Sequence, residues 1–370
     1  MWRLLHGADF HLGRPARGLG RARLASFKQE ERECVFRFCQ AAERHRVDAV
    51  LLSGDLFDGA NAFYEDAVFL RDALREIEAP VFIAPGNHDP YGPASPYAAV
   101  DWPERVHIFK SPVMERMEAA GLIVYGAGFN ASKQERPILR GFRAEKGRVS
   151  VGVLHGDRSP GSPYNPLLRE DIAASGLAYL ALGHIHAFAR FSEGAVPCCY
   201  PGCLMGGGFD ETGPKGAVLV TVDDDGRAEM EFLPLARREY RLMTVSVAGC
   251  RSEEEGAARI LDAVQEEERD HAVRVRLTGA PRCALSAERL EKTLEDRFFA
   301  LSVRLYTEPE EGLFARAGDD SLLGLYMGRL RERYEKAEGE EEKALLRLAA
   351  EYARAAAMGR RVDGEGVAER

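Results

Sequence analysis

The feature that most constrains this chain is a set of five short polar motifs, each following directly on an apolar run. GADFHLG carries Asp9 and His11, SGDLFD carries Asp55 and Asp58, and PGNHDP carries Asn87, His88 and Asp89. LHGD carries His155 and Asp157, and LGHIH carries His184 and His186. Apolar runs of four to six residues read as buried strands, and the stretches between several of them have helical spacing. Such alternation predicts an α/β sheet, in which strand ends converge on a crevice where ligands bind. An Asp-x-His or His-x-His pair on an extended segment places both side chains on one side, because strands alternate with period two. A glycine adjoins each motif (Gly7, Gly54, Gly86, Gly156 and Gly183), which suits tight turns.

Aspartate, asparagine and histidine gathered in one crevice suit divalent manganese, iron or zinc, and no cysteine takes part. Seven such side chains exceed the needs of one metal with an open position. They fit two metals sharing a carboxylate, about 3.5–4 Å apart, which can act on the attacking and leaving oxygens of an in-line displacement at phosphorus. Taken singly, each motif reads as an ordinary turn; the five together, in this order, read as a site. His6, in an apolar run, is expected to be a satisfied core residue, and His45, His107 and His271 are read as structural.

Strands are expected at Trp2–Leu5, Asp48–Leu52, Val81–Ala84, Leu122–Gly126, Val149–Leu154 and Tyr179–Leu182. Helices are expected at Phe27–Arg46 and Glu65–Glu78. Helix becomes sparser between the later strands, which predicts mixed sheets. Beyond a boundary near Pro234–Glu239, the pattern is strand (Tyr240–Val247), helix, strand (Ala272–Leu277), helix, strand (Leu301–Leu305). From Asp320 onward an Ala/Leu-rich charged stretch reads as two helices broken near Gly339. The expected division is 1–235 for the domain bearing the motifs, 236–312 for a small α+β domain and 313–370 for a helical segment, with a frayed tail after Gly359.

Acidic residues number 59 against 50 basic, a net charge of −9, so bulk charge does not draw this chain to nucleic acid or an anionic membrane. A nucleic-acid contact must come from local patches. Arg14, Arg17, Arg21, Arg23 and Lys28 lie in a stretch free of acidic residues directly after Asp9 and His11, and are read as a DNA-binding loop. Lys133, Arg136, Arg140, Arg143, Lys146 and Arg148 form a second basic run. No apolar stretch reaches the 18 or so residues of a membrane span. No signal-peptide pattern opens the chain, so a cytoplasmic location is expected. The seven cysteines are scattered, except for Cys198, Cys199 and Cys203, whose role the sequence leaves open.

The motif set resembles the calcineurin-like metallophosphoesterase superfamily, with its Asp-x-His, Gly-Asp, Gly-Asn-His-Asp, His and Gly-His-x-His pattern. LSGDLFD, PGNHDPY, LGHIH and YPGCLMGGGFDETGPKGAVLVTVD make it similar to DNA repair nucleases of the SbcD type, and to their YhaO-like bacterial branch. The resemblance covers residues 1–235; beyond them only the layout matches. It implies a two-sheet metallophosphoesterase sandwich flanked by helices, a small α+β capping domain and a C-terminal helical segment. It implies that Asp9, His11, Asp55 and His186 hold one metal. Asp55 bridges, and with Asn87, His155 and His184 holds the second; manganese is the expected ion. His88 then protonates the leaving oxygen and Asp89 orients His88. At Asp58 some nucleases of the family carry a histidine, so a second catalytic imidazole is missing from this pattern.

The expected activity is divalent-metal-dependent hydrolysis of DNA phosphodiester bonds in repair, exonucleolytic or endonucleolytic. Expected partners are DNA, a second copy of the chain, and an SbcC-like coiled-coil ATPase that docks on the C-terminal helices, where Leu345, Leu348 and Tyr352 form a stripe. The alternatives are a phosphodiesterase or phosphatase acting on small nucleotides or phosphoproteins, and a DNA-end-binding scaffold subunit of an ATPase complex.

Overall fold

The computed structural model describes residues 1–15, 23–59, 62–159, 161–307, 314, 317–337, 339–357, 362–363 and 366–367. Met1–Arg241 together with Asp270–Ala272 forms one compact unit, and Leu242–Arg269 with Val273–Arg370 forms another.

The first unit is a sandwich of two six-stranded mixed sheets. One runs in the order β12 (Ala228–Pro234), β11 (Gly216–Val222), β1 (Trp2–Gly7), β2 (Ala49–Leu52), β3 (Val81–Ile83), β4 (Val106–Ile108). The other runs β5 (Glu115–Ala119), β6 (Leu122–Gly126), β7 (Ser150–His155), β8 (Tyr179–Gly183), β10 (Val196–Tyr200), β9 (Ala189–Glu193). Strands β1 to β4 are mutually parallel, as are β6, β7 and β8, so each sheet has a parallel centre. Antiparallel hairpins finish three of the four edges, the fourth being β4, parallel to β3, and β1 meets β11 antiparallel in the register Leu4↔Val220.

The period of two explains the layers. Leu4, Leu51, Phe82, Val124, Val153 and Ala181 face inward and, with Phe109, Val218 and Val220, form the core between the sheets. Their neighbours Leu5, Val50, Leu52 and Ile83 face outward under α1 (Leu24–His45) and α2 (Tyr64–Arg75). Ile123, Leu154, Leu180 and Leu182 do the same on the other sheet, under α3 (Arg169–Ala174) and the loop bearing Leu139 and Leu167. Strands buried on both faces therefore read as continuous apolar runs. In α1, Cys34, Val35, Phe38, Cys39, Ala41 and Ala42 recur at helical spacing and are the buried face. The helix ends where Arg46 turns left-handed and its N–H and that of Val47 bond back to Glu43 and Ala42.

In the second unit β13 (Tyr240–Ser246, whose first two residues belong to the first unit), β14 (Ala272–Gly279) and β15 (Ala300–Thr307) form a three-stranded sheet. α4 (Glu253–Ala263) and α5 (Ala287–Thr293) pack on it around Ile260, Val273, Val275, Leu277 and Leu290. α6 (Leu322–Lys336) and α7 (Glu340–Ala357) pair through Met327, Leu330, Leu346 and Ala350. The stripe Leu345, Leu348, Tyr352 is therefore not the packed face: Leu345 and Leu348 are exposed, and the residues one place on carry the contact. Of the tail expected after Gly359, the described residues Val362–Asp363 and Gly366–Val367 pair as a short antiparallel bridge, and the rest lies outside the described residues.

Candidate metal centre

Every motif lies at or just beyond the end of a parallel strand, and the five ends meet at one edge of the sandwich. β1, β2 and β3 of one sheet deliver Asp9 and His11, Asp55 and Asp58, and Asn87 and His88; β7 and β8 of the other deliver His155, His184 and His186. The seven predicted ligands form one cluster. His11 Nε2 lies 3.0 Å from His186 Nε2 and 3.9 Å from Asp55 Oδ2. His155 Nε2 lies 2.9 Å from Asn87 Oδ1 and 3.4 Å from Asp55 Oδ2, and His184 Nδ1 lies 3.1 Å from Asn87 Oδ1. Asp9 accepts the His184 backbone N–H and stands 3.9 Å from His186 Nε2.

The local geometry differs from an extended segment. Asp9, His11 and Asp55 have φ of 54°, 50° and 51°, and His184 has 110°. Strand alternation therefore does not aim these side chains; left-handed turns past the strand ends do. Such conformations are costly for non-glycine residues and cluster at functional sites. Here backbone bonds hold them: Asp9 N–H to Gly54 O (2.9 Å) and His11 N–H to Asp55 O (3.0 Å).

The protons in the cluster can be assigned by what surrounds it. His155 Nδ1 lies 2.8 Å from the Ser53 carbonyl, so that nitrogen carries the hydrogen and Nε2 presents a lone pair. His186 Nδ1 lies 2.5 Å from Glu211 Oε1, and His11 Nδ1 lies 3.5 Å from Asp58 Oδ1, which leaves both Nε2 atoms as lone pairs. Burial lowers His11, His155 and His184 to about 4, so these imidazoles are neutral at pH 7. Lone pairs thus face lone pairs (His11 Nε2 with His186 Nε2) and carboxylate or amide oxygens (His155 Nε2 with Asp55 and Asn87). Burial, then the mutual charge of Asp55, pushes the Asp9 carboxyl up; burial, then Asp89, pushes Asp55 up. Nitrogens and oxygens that converge in this way are what a cation would satisfy once the carboxyl protons leave, and the donor set fits two. Among four groupings by ligand-atom distance, Asp9, His11 and His186 make one and Asp55, His155 and His184 another; the remaining two bring His11 to Asp58 and His88, and His186 to Cys203 and Glu211.

Two predicted roles change. Asp89 does not meet His88. Its buried carboxylate accepts from the N–H groups of Asp55 (3.2 Å), Leu56 (2.6 Å), Phe57 (3.2 Å) and Gly86 (2.7 Å) and from the Tyr97 hydroxyl (2.5 Å). It ties two motif loops together. The carboxylate beside His88 is Asp58, whose Oδ1 lies 3.5 Å from His88 Nδ1 and an equal 3.5 Å from His11 Nδ1. His88 itself is half exposed at the mouth, with its N–H on Asp55 Oδ1 at 2.8 Å.

Arg14, expected in the DNA-binding loop, turns inward. Its guanidinium is buried, 3.1 Å from both Glu211 oxygens, and donates to the Met205 carbonyl. Arg17 and Arg21 lie outside the described residues. Arg23 is half-buried at the start of α1, and Lys28 is exposed on that helix. Lys133, Arg136, Arg140, Arg143, Lys146 and Arg148 are all exposed, with Arg148 paired to Glu118 at 2.8 Å.

Glu211 is the residue sequence reading missed. Burial opposes its ionisation, but the His186 hydrogen bond, Arg14 and the Gly207 N–H outweigh it and hold the carboxyl well below the usual range. The signal was the stretch 200–223, matched as a whole with no role given to its acid. The cysteine cluster dissolves: Cys198 and Cys199 alternate to opposite faces of β10, while the Cys203 thiol sits behind Glu211 and is pushed up to about 12 by burial. His6 is a satisfied core residue, between the Tyr179 hydroxyl (2.8 Å) and the Ser53 hydroxyl (3.0 Å).

Three of the curated relatives that match the chain are informative. An uncharacterized metallophosphoesterase, YhaO, of Bacillus subtilis (strain 168) is 35% identical over 62% of this chain and 59% of its own length. A DNA double-strand break repair protein, Mre11, of Aeropyrum pernix is 30% identical over 65% of this chain and 63% of its own. A subunit of the nuclease SbcCD of Bacillus subtilis (strain 168) is 22% identical over 59% of this chain and 65% of its own. The chain thus spans less than two thirds of the length of each. The pattern of calcineurin-like phosphoesterases matches residues 3–188, which takes in all five motifs, and the chain belongs to that family.

Proposed function

We propose that this protein is a divalent-metal-dependent DNA nuclease acting in repair. The observation that carries the metal-dependent reading is the set of imidazole nitrogens and carboxylate and amide oxygens that converge to between 2.9 and 3.4 Å of one another, beside a half-exposed histidine. The fold of this family uses a dinuclear metal site. Asp9, His11 and His186 would hold one ion, Asn87, His155 and His184 the other, with Asp55 shared; manganese is our choice of ion. When bound, two such ions supply Lewis acidity and a nucleophilic hydroxide near neutral pH.

The chain's own residues do the rest. Asp55 takes the His88 N–H and so fixes that residue at the mouth. Asp58 stands beside the Nδ1 side of the half-exposed His88 ring, which leaves Nε2 to deliver a proton to the departing oxygen. DNA as substrate is supported by two relatives, one named for double-strand break repair and one as part of a nuclease. It is supported further by exposed cations at Lys28 and along Lys133–Lys146, which can seat a phosphate backbone. The same likeness leads us to propose a homodimer acting in the cytoplasm with a coiled-coil ATPase partner.

Purified protein with manganese is expected to degrade linear or hairpin DNA. His88→Ala should abolish that cleavage while manganese still binds; normal cleavage by the variant would remove His88 as the acid. One feature favours a second reading. Asp58 stands where some related nucleases carry a second imidazole, which suits a phosphodiesterase or phosphatase on small nucleotides or phosphoproteins. Cleavage of cyclic nucleotide or phosphopeptide with DNA left intact would select it.

A further inference from the structure

Arg14 and Glu211 stand 197 residues apart, yet form a buried ion pair directly behind His186. Glu211 Oε1 meets His186 Nδ1 at 2.5 Å, and Glu211 Oε2 takes the Gly207 N–H at 2.6 Å. The same segment reaches the His186 backbone: Lys215 Nζ and the Cys203 N–H both donate to the His186 carbonyl, at 3.1 and 3.2 Å. His186 is therefore pinned at its ring and at its main chain by residues 203–215. The segment is shaped around Arg14. A Cβ on Gly207 would lie 2.5 Å from Arg14 Cζ and 2.7 Å from its Nε, so a larger residue there would displace the guanidinium.

Stability alone is a poor account of this arrangement. Removing two charges from water costs several kcal/mol, and apolar replacements of equal volume are often as stable or more so. Arg14 Nε is buried with no hydrogen-bond partner among the described residues, so the pair is not even fully satisfied. What it does supply is a fixed carboxylate, facing a ring whose other nitrogen points at His11 Nε2 3.0 Å away.

We propose that Arg14 and Glu211 are positioning residues for the metal centre, holding His186 in the one tautomer and ring orientation that present Nε2 to a cation. The assignment rests on the metal-centre reading above. It places Arg14 in the centre's supporting layer and takes it out of the DNA-binding surface.

The test is manganese binding to the full chain, followed by the electron paramagnetic resonance of free manganese and by calorimetry. Wild-type protein should bind two ions. Glu211→Ala should weaken one of the two by about 10–100-fold, the usual cost of losing a partner behind a ligand, and leave the other within a few-fold. Glu211→Gln keeps an oxygen acceptor for the ring N–H and should recover part of that loss. Arg14→Lys keeps the charge without the fork and should fall between. Arg14→Gln, which removes the charge, should keep the wild-type salt dependence of DNA affinity, whereas loss of a phosphate contact would flatten the slope by about one unit.

Melting of the metal-free variants checks that they fold. Should Glu211→Ala fail to fold, Glu211→Gln and Arg14→Lys decide the matter on their own. Two unchanged sites in the folded variants overturn the positioning role and leave the metal centre standing. No manganese bound by the wild type overturns the metal centre and this role with it.

Discussion

Asp89 accepts from four backbone N–H groups and the Tyr97 phenol, all within a buried pocket, so both its oxygens are committed. Asparagine there has one acceptor oxygen and turns an NH2 toward donors. Leaving two or so of these donors unsatisfied should cost roughly 3 kcal/mol, lowering Tm by roughly 6–12 °C in a thermal melt. An unchanged Tm would refute the bracing role. The sequence placed Asp89 next to His88 in the chain, and adjacency suggested contact; the fold instead gives His88 the more distant Asp58. Glu211 and Arg14 were illegible for the same reason, since a partner 197 residues away leaves no local trace. The candidate ligands were legible because each sits in a compact motif with its own turn.

At this same scale the buried carboxyls set a pH dependence. In the metal-free protein Asp9 and Asp55 are raised, so below neutrality they retain protons that a cation must displace. Manganese affinity should fall as pH drops from about 7 toward the ordinary carboxylate value of about 4. Calorimetry in buffers of different ionisation heat should register proton release on binding across that window. The imidazoles add little there, since burial already keeps His11, His155 and His184 neutral down to about 4. Affinity that is flat from pH 7 to 5 would count against this account.

Among elements, the strands that carry motifs were readable because burial on both faces makes them uninterrupted apolar runs. β5, β9 and β12 were not, because each alternates buried or half-buried with exposed residues at a sheet edge, and their polar positions disguise them. The join of β2 to β8 is the tightest in the site. A Cβ on Gly183 would lie 2.0 Å from the Ser53 oxygen and 3.0 Å from His155 Nδ1. Gly183→Ala must move the carbonyl that fixes the His155 ring. It should cost roughly 1–3 kcal/mol and weaken one manganese ion. Gly92→Ala, with nothing within 4 Å of the new Cβ, is the matched control and should stay within about 0.5 kcal/mol of wild type. Equal melting and binding for the two variants would show that the close approach is not limiting.

Over the whole molecule, the first unit encloses its own core between two sheets and the second encloses separate ones around Ile260 and around Met327. Units with independent cores can unfold independently. A cation held only by residues of the first unit should raise the melting of that unit by mass action and leave the other transition in place. Scanning calorimetry with and without manganese reads this directly, and a single transition shifted as a whole would argue for one cooperative body. A different consequence lies in where the ligands originate. Asp9, Asp55 and Asn87 leave one sheet and His155, His184 and His186 leave the other, so the greasy filling between the layers acts as a spacer gauge. Thinning or thickening it, far from any polar atom, retunes the gap across which the two halves of the centre must agree.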